Sequence, residues 1–421
     1  MSWWIPAFID NLGFPLYFCE KLSEAENYFC IGGGGGAAQT GVPNYVKVIC
    51  WTGSRLMTID EKKLDDVPTS ACVFKRSLCV VVGPDICFFT VTQEQNTLVW
   101  QTKFRPDSNV QVRQTVVSCS EAANLLAVGN DEGRIRIYAL DSTWAKDCRP
   151  PQTVLLHQKS IAEMDFSQDG ALLVSVSLDR NCCIWDSRTG TKLMTLDNPP
   201  VRRYGIKAHF RCCQFSRVSA VEPKILYTVD VSLDSGTFIS GWRVDKWQSV
   251  FSRKVSQDPV TFLSSCVIDG REYIAVGTNE GDVMIWGHDP EQKKFLLEEA
   301  SVTRETGSHL AITRQDDNHS SGQGGWLFPL CTTQVPRFSP FRLSKKYPLH
   351  FLPVTGLSWS APSEKNNSSS PWLLVTCADG YIRMMPIALH PDNEDTSTNI
   401  FWLLFPWWWI ILFAILYSIF S

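Results

Sequence analysis

The chain has 421 residues, of which 44% are hydrophobic and 19% are charged, enough to bury one large core or two ordinary ones. Its 39 basic and 43 acidic residues give a formal net charge of −4, which argues against a nucleic-acid-binding protein held by a broad basic surface. The 15 cysteines include no Cys-x-x-Cys pair, so the sequence disfavours a zinc cluster and indicates reduced, mostly buried thiols in the cytosol.

The amino-terminal segment does not resemble a secretory signal peptide. Residues 1–10 contain no lysine or arginine, and no long apolar run follows them. We expect residues 2–9 to form a strand that completes the last repeat described below. Such a strand would close a ring of sheets and remove an exposed strand edge.

A repeated strand pattern fills most of the chain. Each unit reads as two apolar strands, a turn containing Asn or Asp with Gly, and a third strand ending near Trp or Tyr. Seven units fit, at residues 14–51, 70–100, 116–140, 161–186, 210–244, 262–286 and 353–386. Their spacing of roughly 45 residues and the Trp185-Asp186 pair resemble WD-repeat proteins, so we predict an all-β, seven-bladed β-propeller.

Polar residues within the repeats are expected to support the fold. Asp165 and Asp179 are interpreted as hydrogen-bonding to turns, and His209 and His350 as structural or surface residues. The sequence contains no Ser/His/Asp grouping and no His-Glu-x-x-His helix. We therefore do not expect an enzyme or a small-molecule substrate.

The predicted domains follow from composition. The propeller occupies residues 1–389 and faces the cytosol, with an insertion at about 289–350 between the sixth and seventh blades. Residues 390–399 are a polar linker. Residues 400–420 lack any charged side chain and would form a helix about 30 Å long, enough to cross a bilayer. The alternative is a buried core helix, but tryptophans and phenylalanines leave this segment no polar face.

A glycine-rich loop lies between two strands of the first repeat. It contains Gly33, Gly34, Gly35 and Gly36, then Gly41, and ends at Asn44. A phosphate-binding P-loop would need lysine and Ser/Thr where Val42 and Pro43 stand. The sequence therefore does not match a P-loop. Two readings remain open from the residues: a flexible hairpin loop, or a loop whose carbonyls and Asn44 oxygen hold a hard cation.

The segments FPLY at residues 14–17 and GGGGAAQTGVPN at residues 33–44 resemble one family. It comprises the endoplasmic-reticulum guanine-nucleotide exchange factors for the Sar-type small GTPase of the COPII coat, whose animal member is called prolactin regulatory element-binding protein. Its members are seven-bladed propellers with one carboxy-terminal membrane span. Gln39 departs from the lysine of animal members, so a charge contact there is not expected.

The resemblance implies a function. Gly33, Gly34, Gly35, Gly36 and Asn44 would bind a potassium ion, and Gly41 and Asn44 would contact the GTPase as the exchange loop. The protein would then activate a Sar-type GTPase at the endoplasmic reticulum membrane, without covalent chemistry and without a nucleic-acid partner. The alternative is a tail-anchored WD-repeat scaffold that has no exchange activity.

Overall fold

The structure is a computed structural model that describes residues 8–22, 27–36, 41–140, 153–196, 205, 208–218, 224–268, 271–288, 341–348, 352–360 and 371–387. Within these ranges the chain forms 28 β-strands and no helix. The strands make seven antiparallel sheets of four strands each. The predicted all-β, seven-bladed architecture is therefore confirmed.

Each sheet is one blade, and its strands follow one another in sequence from the centre of the ring outwards, except in the last blade. Blade one contains β2 (Leu16–Lys21), β3 (Tyr28–Gly33), β4 (Asn44–Trp51) and β5 (Leu56–Leu64). Blade two contains β6 (Pro68–Phe74), β7 (Ser77–Val82), β8 (Asp85–Val91) and β9 (Leu98–Phe104). Blade three contains β10 (Gln114–Ser120), β11 (Leu125–Asn130), β12 (Arg134–Ala139) and β13 (Thr153–Leu156).

The remaining blades repeat this order. Blade four contains β14 (Ile161–Phe166), β15 (Leu172–Ser177), β16 (Cys182–Asp186) and β17 (Lys192–Leu196). Blade five contains β18 (His209–Phe215), β19 (Ile225–Ser232), β20 (Gly236–Arg243) and β21 (Gln248–Ser256). Blade six contains β22 (Val260–Ile268), β23 (Arg271–Thr278), β24 (Asp282–His288) and β25 (Phe341–Pro348). Blade seven contains β26 (Val354–Ser360), β27 (Trp372–Cys377), β28 (Tyr381–Pro386) and β1 (Phe8–Asn11).

The amino-terminal strand closes the ring, as expected, but at shifted bounds. Strand β1 pairs with β28, with Phe8 opposite Met384 and Asn11 opposite Tyr381. The prediction placed this strand at residues 2–9, of which 2–7 lie outside the described residues. The sheet of the last blade thus combines an amino-terminal strand with three carboxy-terminal strands, which removes the free edge that β28 would otherwise present.

Apolar packing between neighbouring blades holds the ring together. Every adjacent pair of blades encloses its own cluster of buried apolar side chains. Threonine hydroxyls on inner strands add hydrogen bonds across these boundaries. Thr115 Oγ1 donates to Ile161 O at 2.9 Å and Thr261 Oγ1 to Val354 O at 2.6 Å. The inner strands are therefore fixed to one another as well as to their own sheets.

Several predicted turns and polar contacts are confirmed. Gly133, Gly281 and Gly380 close tight turns with φ between 81° and 87°. Asp165 Oδ2 accepts a hydrogen bond from the Phe215 N–H at 2.8 Å. Asp179 Oδ1 accepts one from the Asn181 N–H at 2.9 Å. Asp179 therefore hydrogen-bonds to a turn, as expected, whereas the backbone partner of Asp165 is the last residue of β18 and not a turn.

A hydrogen-bonded chain of side chains spans blade four. His157 lies 3.0 Å from Asp179 Oδ2 through Nδ1 and 2.8 Å from Ser175 Oγ through Nε2. The Trp185 indole N–H donates to the same serine oxygen at 2.8 Å. Burial lowers the pKa of His157, although Asp179 opposes the shift, so its ring is neutral at pH 7. Trp185 and Asp179 thus have structural roles.

Blade three is held by a buried ion pair that the sequence did not suggest. Asp107, in the connection from blade two, accepts two hydrogen bonds from the Arg136 guanidinium on β12, one of them at 2.8 Å. Gln114 Nε2 and Asn130 Nδ2 each donate to Asp107 Oδ2 at 3.1 Å. Asp107 is 5% exposed. One carboxylate therefore ties the connecting segment to three strands of blade three.

The predicted insertion and carboxy-terminal segments are mostly outside the described residues. Within the predicted range of 289–350, Phe341–Pro348 forms β25, the outermost strand of blade six. The long connection thus joins the third and fourth strands of blade six and does not separate blades six and seven. Among the described residues no helix is both long and apolar enough to cross a bilayer. The predicted span at 400–420 and the linker before it lie outside the described residues.

Candidate functional site

The glycine-rich loop lies at one end of the propeller, between β3 and β4 of blade one. Because the strands of each blade are antiparallel, this end also carries the other connections between second and third strands. It also carries the connections from the fourth strand of one blade to the first strand of the next. We call this end the upper face. Residues 37–40 of the loop, including Gln39, lie outside the described residues.

Close backbone contacts require glycine at the start of the loop. The Gly34 N–H donates to Pro15 O at 2.9 Å, which joins the loop to the segment leading into β2. A Cβ on Gly33 would lie 1.8 Å from Pro15 O. Gly34 has a φ of +147°, and a Cβ there would lie 2.3 Å from Asn44 Oδ1. Side chains at either position would force the backbone apart.

Asn44 fastens the two ends of the loop together. Its Oδ1 accepts a hydrogen bond from the Gly36 N–H at 2.9 Å, and its Nδ2 donates to Gly36 O at 3.3 Å. Asn44 is 6% exposed, and its backbone is held in β4 opposite Leu64. One side chain thus satisfies both backbone polar groups of Gly36 from a rigid strand.

The structure brings only part of the predicted site together. Gly34, Gly36 and Asn44 meet at the base of the loop, and Gly33 is the last residue of β3. Gly35 lies half-buried between its neighbours. Gly41 is exposed, with a φ of +79° and open space around its Cβ position. Its place is therefore on the accessible part of the loop, apart from the Asn44 hydrogen bonds.

The oxygens described at the loop base are neutral ones, the Gly36 carbonyl and the Asn44 carboxamide. Neutral oxygens are ligands that hard cations accept. Asn44 Oδ1 already accepts the Gly36 N–H, but a carboxamide oxygen has a second lone pair. No group of three or more His, Cys, Asp or Glu side chains in the described ranges could hold a metal ion. A cation here would depend on carbonyl oxygens.

Aromatic and charged residues pack together next to the glycine-rich loop, in the segment before β2 and on β4. The rings of Phe14 and Tyr45 lie 5.8 Å apart, and the Lys47 ammonium sits 5.2 Å and 5.1 Å from their centres. Lys47 also pairs with Glu61 on β5 at 3.0 Å. This cluster fixes the segment before β2 against β4. The sequence did not point to Lys47, because a lysine at a polar position of the alternating pattern of β4 gives no sign of this contact.

A polar cavity of about 510 Å³ fills the centre of the ring. All seven inner strands line it, and its charged residues include Glu20, Glu163, Asp165 and Arg217. Arg217 Nη2 donates to Asp165 Oδ1 at 2.9 Å. Burial raises the pKa of Glu20 and of Glu163 to about 8 in each case, so both carboxyl groups carry much less charge at neutral pH than exposed ones.

Comparisons with known proteins agree with the fold. Residues 149–186 match the family described as WD domain, G-beta repeat. A chain from "COPII on membranes, outer coat vertex" superposes with a TM-score of 0.64 at 11% identity, covering 91% of this chain and 86% of that one. A chain from "The structure of the COPII coat assembled on membranes" gives the same score and identity over 48% of its length. The molecule is a seven-bladed β-propeller, and one segment of it matches the WD repeat.

Curated relatives are similar over part of the chain. SEC12-like protein 1 of Arabidopsis thaliana is 28% identical over 176 residues, which cover 41% of this chain and 39% of that protein. The chromatin assembly factor 1 subunit FAS2 homolog of Oryza sativa subsp. japonica is 37% identical over 83 residues, 20% of this chain and 16% of that protein. The WD repeat-containing protein 55 homolog of Aedes aegypti is 24% identical over 185 residues, 42% of this chain and 33% of that protein. The chain thus matches less than two fifths of the length of each relative.

Proposed function

We propose that the protein is a guanine-nucleotide exchange factor for a Sar-type small GTPase and acts at the endoplasmic reticulum membrane to start COPII coat assembly. The observation that carries the proposal is the glycine-rich loop, which is fastened at its base by Asn44. Partial similarity to SEC12-like protein 1 supports it. So does the resemblance of residues 14–17 and 33–44 to the exchange-factor family.

Exchange requires differential binding of two states of the GTPase. The protein must bind the nucleotide-free GTPase more tightly than the GDP-bound form, and linkage then weakens GDP binding by the same factor. A loop that reaches into the switch segments would displace the Mg²⁺ and phosphate contacts that retain GDP. This chain breaks no covalent bond in doing so.

The loop base is suited to this task because it is ordered before contact. Asn44 holds Gly36 through two hydrogen bonds, and Pro15 O holds the Gly34 N–H. Each backbone residue fixed in advance saves about 1–2 kcal/mol of ordering entropy on binding. The exposed Gly41 then lies on the part of the loop that can meet the partner. A potassium ion bound by the loop carbonyls and Asn44 would add further stiffness.

Membrane attachment would use the carboxy-terminal segment. Strand β28 runs away from the turn at Gly380, so Ile387 leaves the propeller at the end opposite the upper face. The predicted linker of residues 390–399 spans about 35 Å when extended. In this proposal the propeller stays near the bilayer on the cytosolic side, where exchange would deliver the activated GTPase to its membrane.

A nucleotide-release assay tests the proposal. The full chain in detergent is mixed with a Sar-type GTPase carrying a fluorescent GDP analogue, and excess unlabelled nucleotide is added. We expect release to accelerate at least about tenfold, which corresponds to 1.4 kcal/mol of differential binding. A Ras-type GTPase is the specificity control. Unchanged release from the Sar-type GTPase would contradict the proposal and favour the WD-repeat scaffold without exchange activity.

Replacing the cation tests the proposed potassium site. In the same assay, sodium or a bulky organic cation at equal ionic strength should slow release several-fold, because the loop would lose a ligand that fits its carbonyl oxygens. The intrinsic release of the GTPase alone in each salt is the control. Rates that do not depend on the cation would remove potassium from the proposal and leave the hydrogen-bonded loop base to act by itself.

A further inference from the structure

In the described connections, the exposed large apolar side chains lie on the upper face. In the described residues, four large apolar side chains are exposed in connections and do not lie in strands. They are Val110 (57% exposed), Leu178 (55%), Leu233 (90%) and Leu352 (47%). Each lies in a connection at the end that carries the glycine-rich loop. The described connections at the opposite end expose no large apolar side chain.

Two of these leucines occupy equivalent turns in adjacent blades. Leu178 follows β15 in blade four, and Leu233 follows β19 in blade five. The Leu178 N–H donates to Ser160 O at 2.9 Å, so its turn is fixed to the neighbouring connection. Gly236, which closes the other turn, has a φ of +88°. Short, fixed turns therefore present both leucines outwards, where contact with water is unfavourable.

Blades four and five lie across the ring from blade one. Seven sheets packed about 10 Å apart give a ring of roughly 70 Å circumference at mid-blade, which is a diameter of about 22 Å. A GTPase domain of about 170 residues has a radius of gyration of about 15 Å and is therefore roughly 40 Å across. A domain of that size, if it lies over the central cavity while it contacts the glycine-rich loop, is large enough to reach Leu178 and Leu233.

We propose that the GTPase which contacts the glycine-rich loop also buries Leu178 and Leu233, so that its footprint crosses the upper face from blade one to blades four and five. This inference rests on the proposed function. The partner surface that meets the leucines is apolar. A second contact on the far side of the central cavity fixes the orientation of the GTPase. The glycine-rich loop then meets the nucleotide pocket of the GTPase in one geometry.

The test compares affinities for the nucleotide-free Sar-type GTPase. The full chain in detergent is immobilised as wild type, as the Leu178→Ser/Leu233→Ser double variant, and as Leu193→Ser. Leu193 is 47% exposed on β17, the outermost strand of blade four, and serves as the matched control. We expect the double variant to bind about tenfold or more weakly, as loss of buried apolar anchors does at other interfaces. Leu193→Ser should bind like the wild type.

The outcomes separate this inference from the proposed function. If the wild type binds and accelerates GDP release but the double variant has the same affinity, the footprint is wrong and the function stands. If the double variant instead loses self-association or binding to anionic vesicles while its GTPase affinity is unchanged, a second copy or a lipid surface occupies the leucines, and the inference is overturned. If the wild type neither binds the GTPase nor releases GDP, the proposed function itself fails. Both leucines are exposed, so unfolding does not confuse the result.

Discussion

Replacement of Asn44 by alanine should lower the stimulated rate of GDP release, which is the increase over the intrinsic rate of the GTPase, about a hundredfold. The substitution removes both hydrogen bonds that hold Gly36 and frees residues 35 and 36 before contact, while Gly34 stays bonded to Pro15 O. Ordering residues 35 and 36 again on binding costs about 3 kcal/mol at 1–2 kcal/mol for each residue. Since 1.4 kcal/mol corresponds to a factor of ten, the rate falls by about two orders of magnitude. The measurement is the fluorescence decay of a GDP analogue bound to the Sar-type GTPase.

The fold should tolerate this change. Loss of two partly exposed hydrogen bonds costs about 1–2 kcal/mol, which is a fraction of the usual 5–15 kcal/mol stability of a folded domain. Thermal unfolding should therefore shift by only a few degrees.

Two variants sharpen the Asn44 result. Asn44→Asp keeps an oxygen acceptor for the Gly36 N–H and should retain more activity than Asn44→Ala. Asn109→Ala is the matched control, because Asn109 is an exposed asparagine on the same face that accepts the Gln111 N–H at 3.0 Å. It should release GDP at the wild-type rate. If Asn44→Ala also matches the wild type, the glycine-rich loop is not the exchange element.

Much of the propeller could be predicted because the second strands of its blades carry a local signal. Strand β11 (Leu125–Asn130) is fully buried and β15 (Leu172–Ser177) nearly so, and such strands read as apolar runs between turn residues. The outermost strands carry no such signal. Strand β25 reads FRLSKKYP, in which charged residues interrupt the apolar pattern, and it fell within the predicted insertion. Strand β1 ends on Asp10 and Asn11, and its pairing with β28 depends on backbone hydrogen bonds rather than on side-chain pattern.

The candidate site could be predicted only in part, because its contacts join residues that are apart in sequence. Glycine spacing and Asn44 identified the loop, but sequence cannot show that the chain returns so that Gly36 lies against the Asn44 carboxamide. That contact depends on the register of β4 with β3 and β5. The Asp107–Arg136 pair was missed for the same reason. The two residues are 29 positions apart, and only the fold brings them together.

The largest effect on stability is expected from Asp107→Ala, which should lower the free energy of unfolding by about 3–5 kcal/mol. The substitution leaves the Arg136 guanidinium buried without its partner, and an unpaired buried charge is strongly unfavourable. Arg136 is 9% exposed, so water cannot readily replace the carboxylate. Urea unfolding followed by circular dichroism at pH 7 measures the change.

The dependence of this loss on pH follows from the pKa of Asp107. Burial alone would raise that pKa, but hydrogen bonds from Gln114, Asn130 and Arg136 outweigh it, and the pKa lies below its usual value. The folded protein therefore binds fewer protons at this site than the unfolded chain, so the carboxylate stabilises the fold fully above pH 4. That contribution disappears as pH falls through the lowered pKa. The difference between wild type and Asp107→Ala should accordingly be constant from pH 5 to 8 and shrink below pH 4.

A double substitution distinguishes two causes of the destabilisation, the unpaired charge of Arg136 and the lost side-chain volume of Asp107. In Asp107→Ala/Arg136→Met the buried charge is absent, and much of the stability should return, since an apolar pair of similar size often matches a buried ion pair. Arg243→Met is the control, because Arg243 pairs with an exposed partner, Asp245, at 2.7 Å and should cost less than about 1 kcal/mol. If the double variant is as unstable as Asp107→Ala alone, the unpaired guanidinium is not the cause, and the lost hydrogen bonds to Gln114 and Asn130 hold blade three instead.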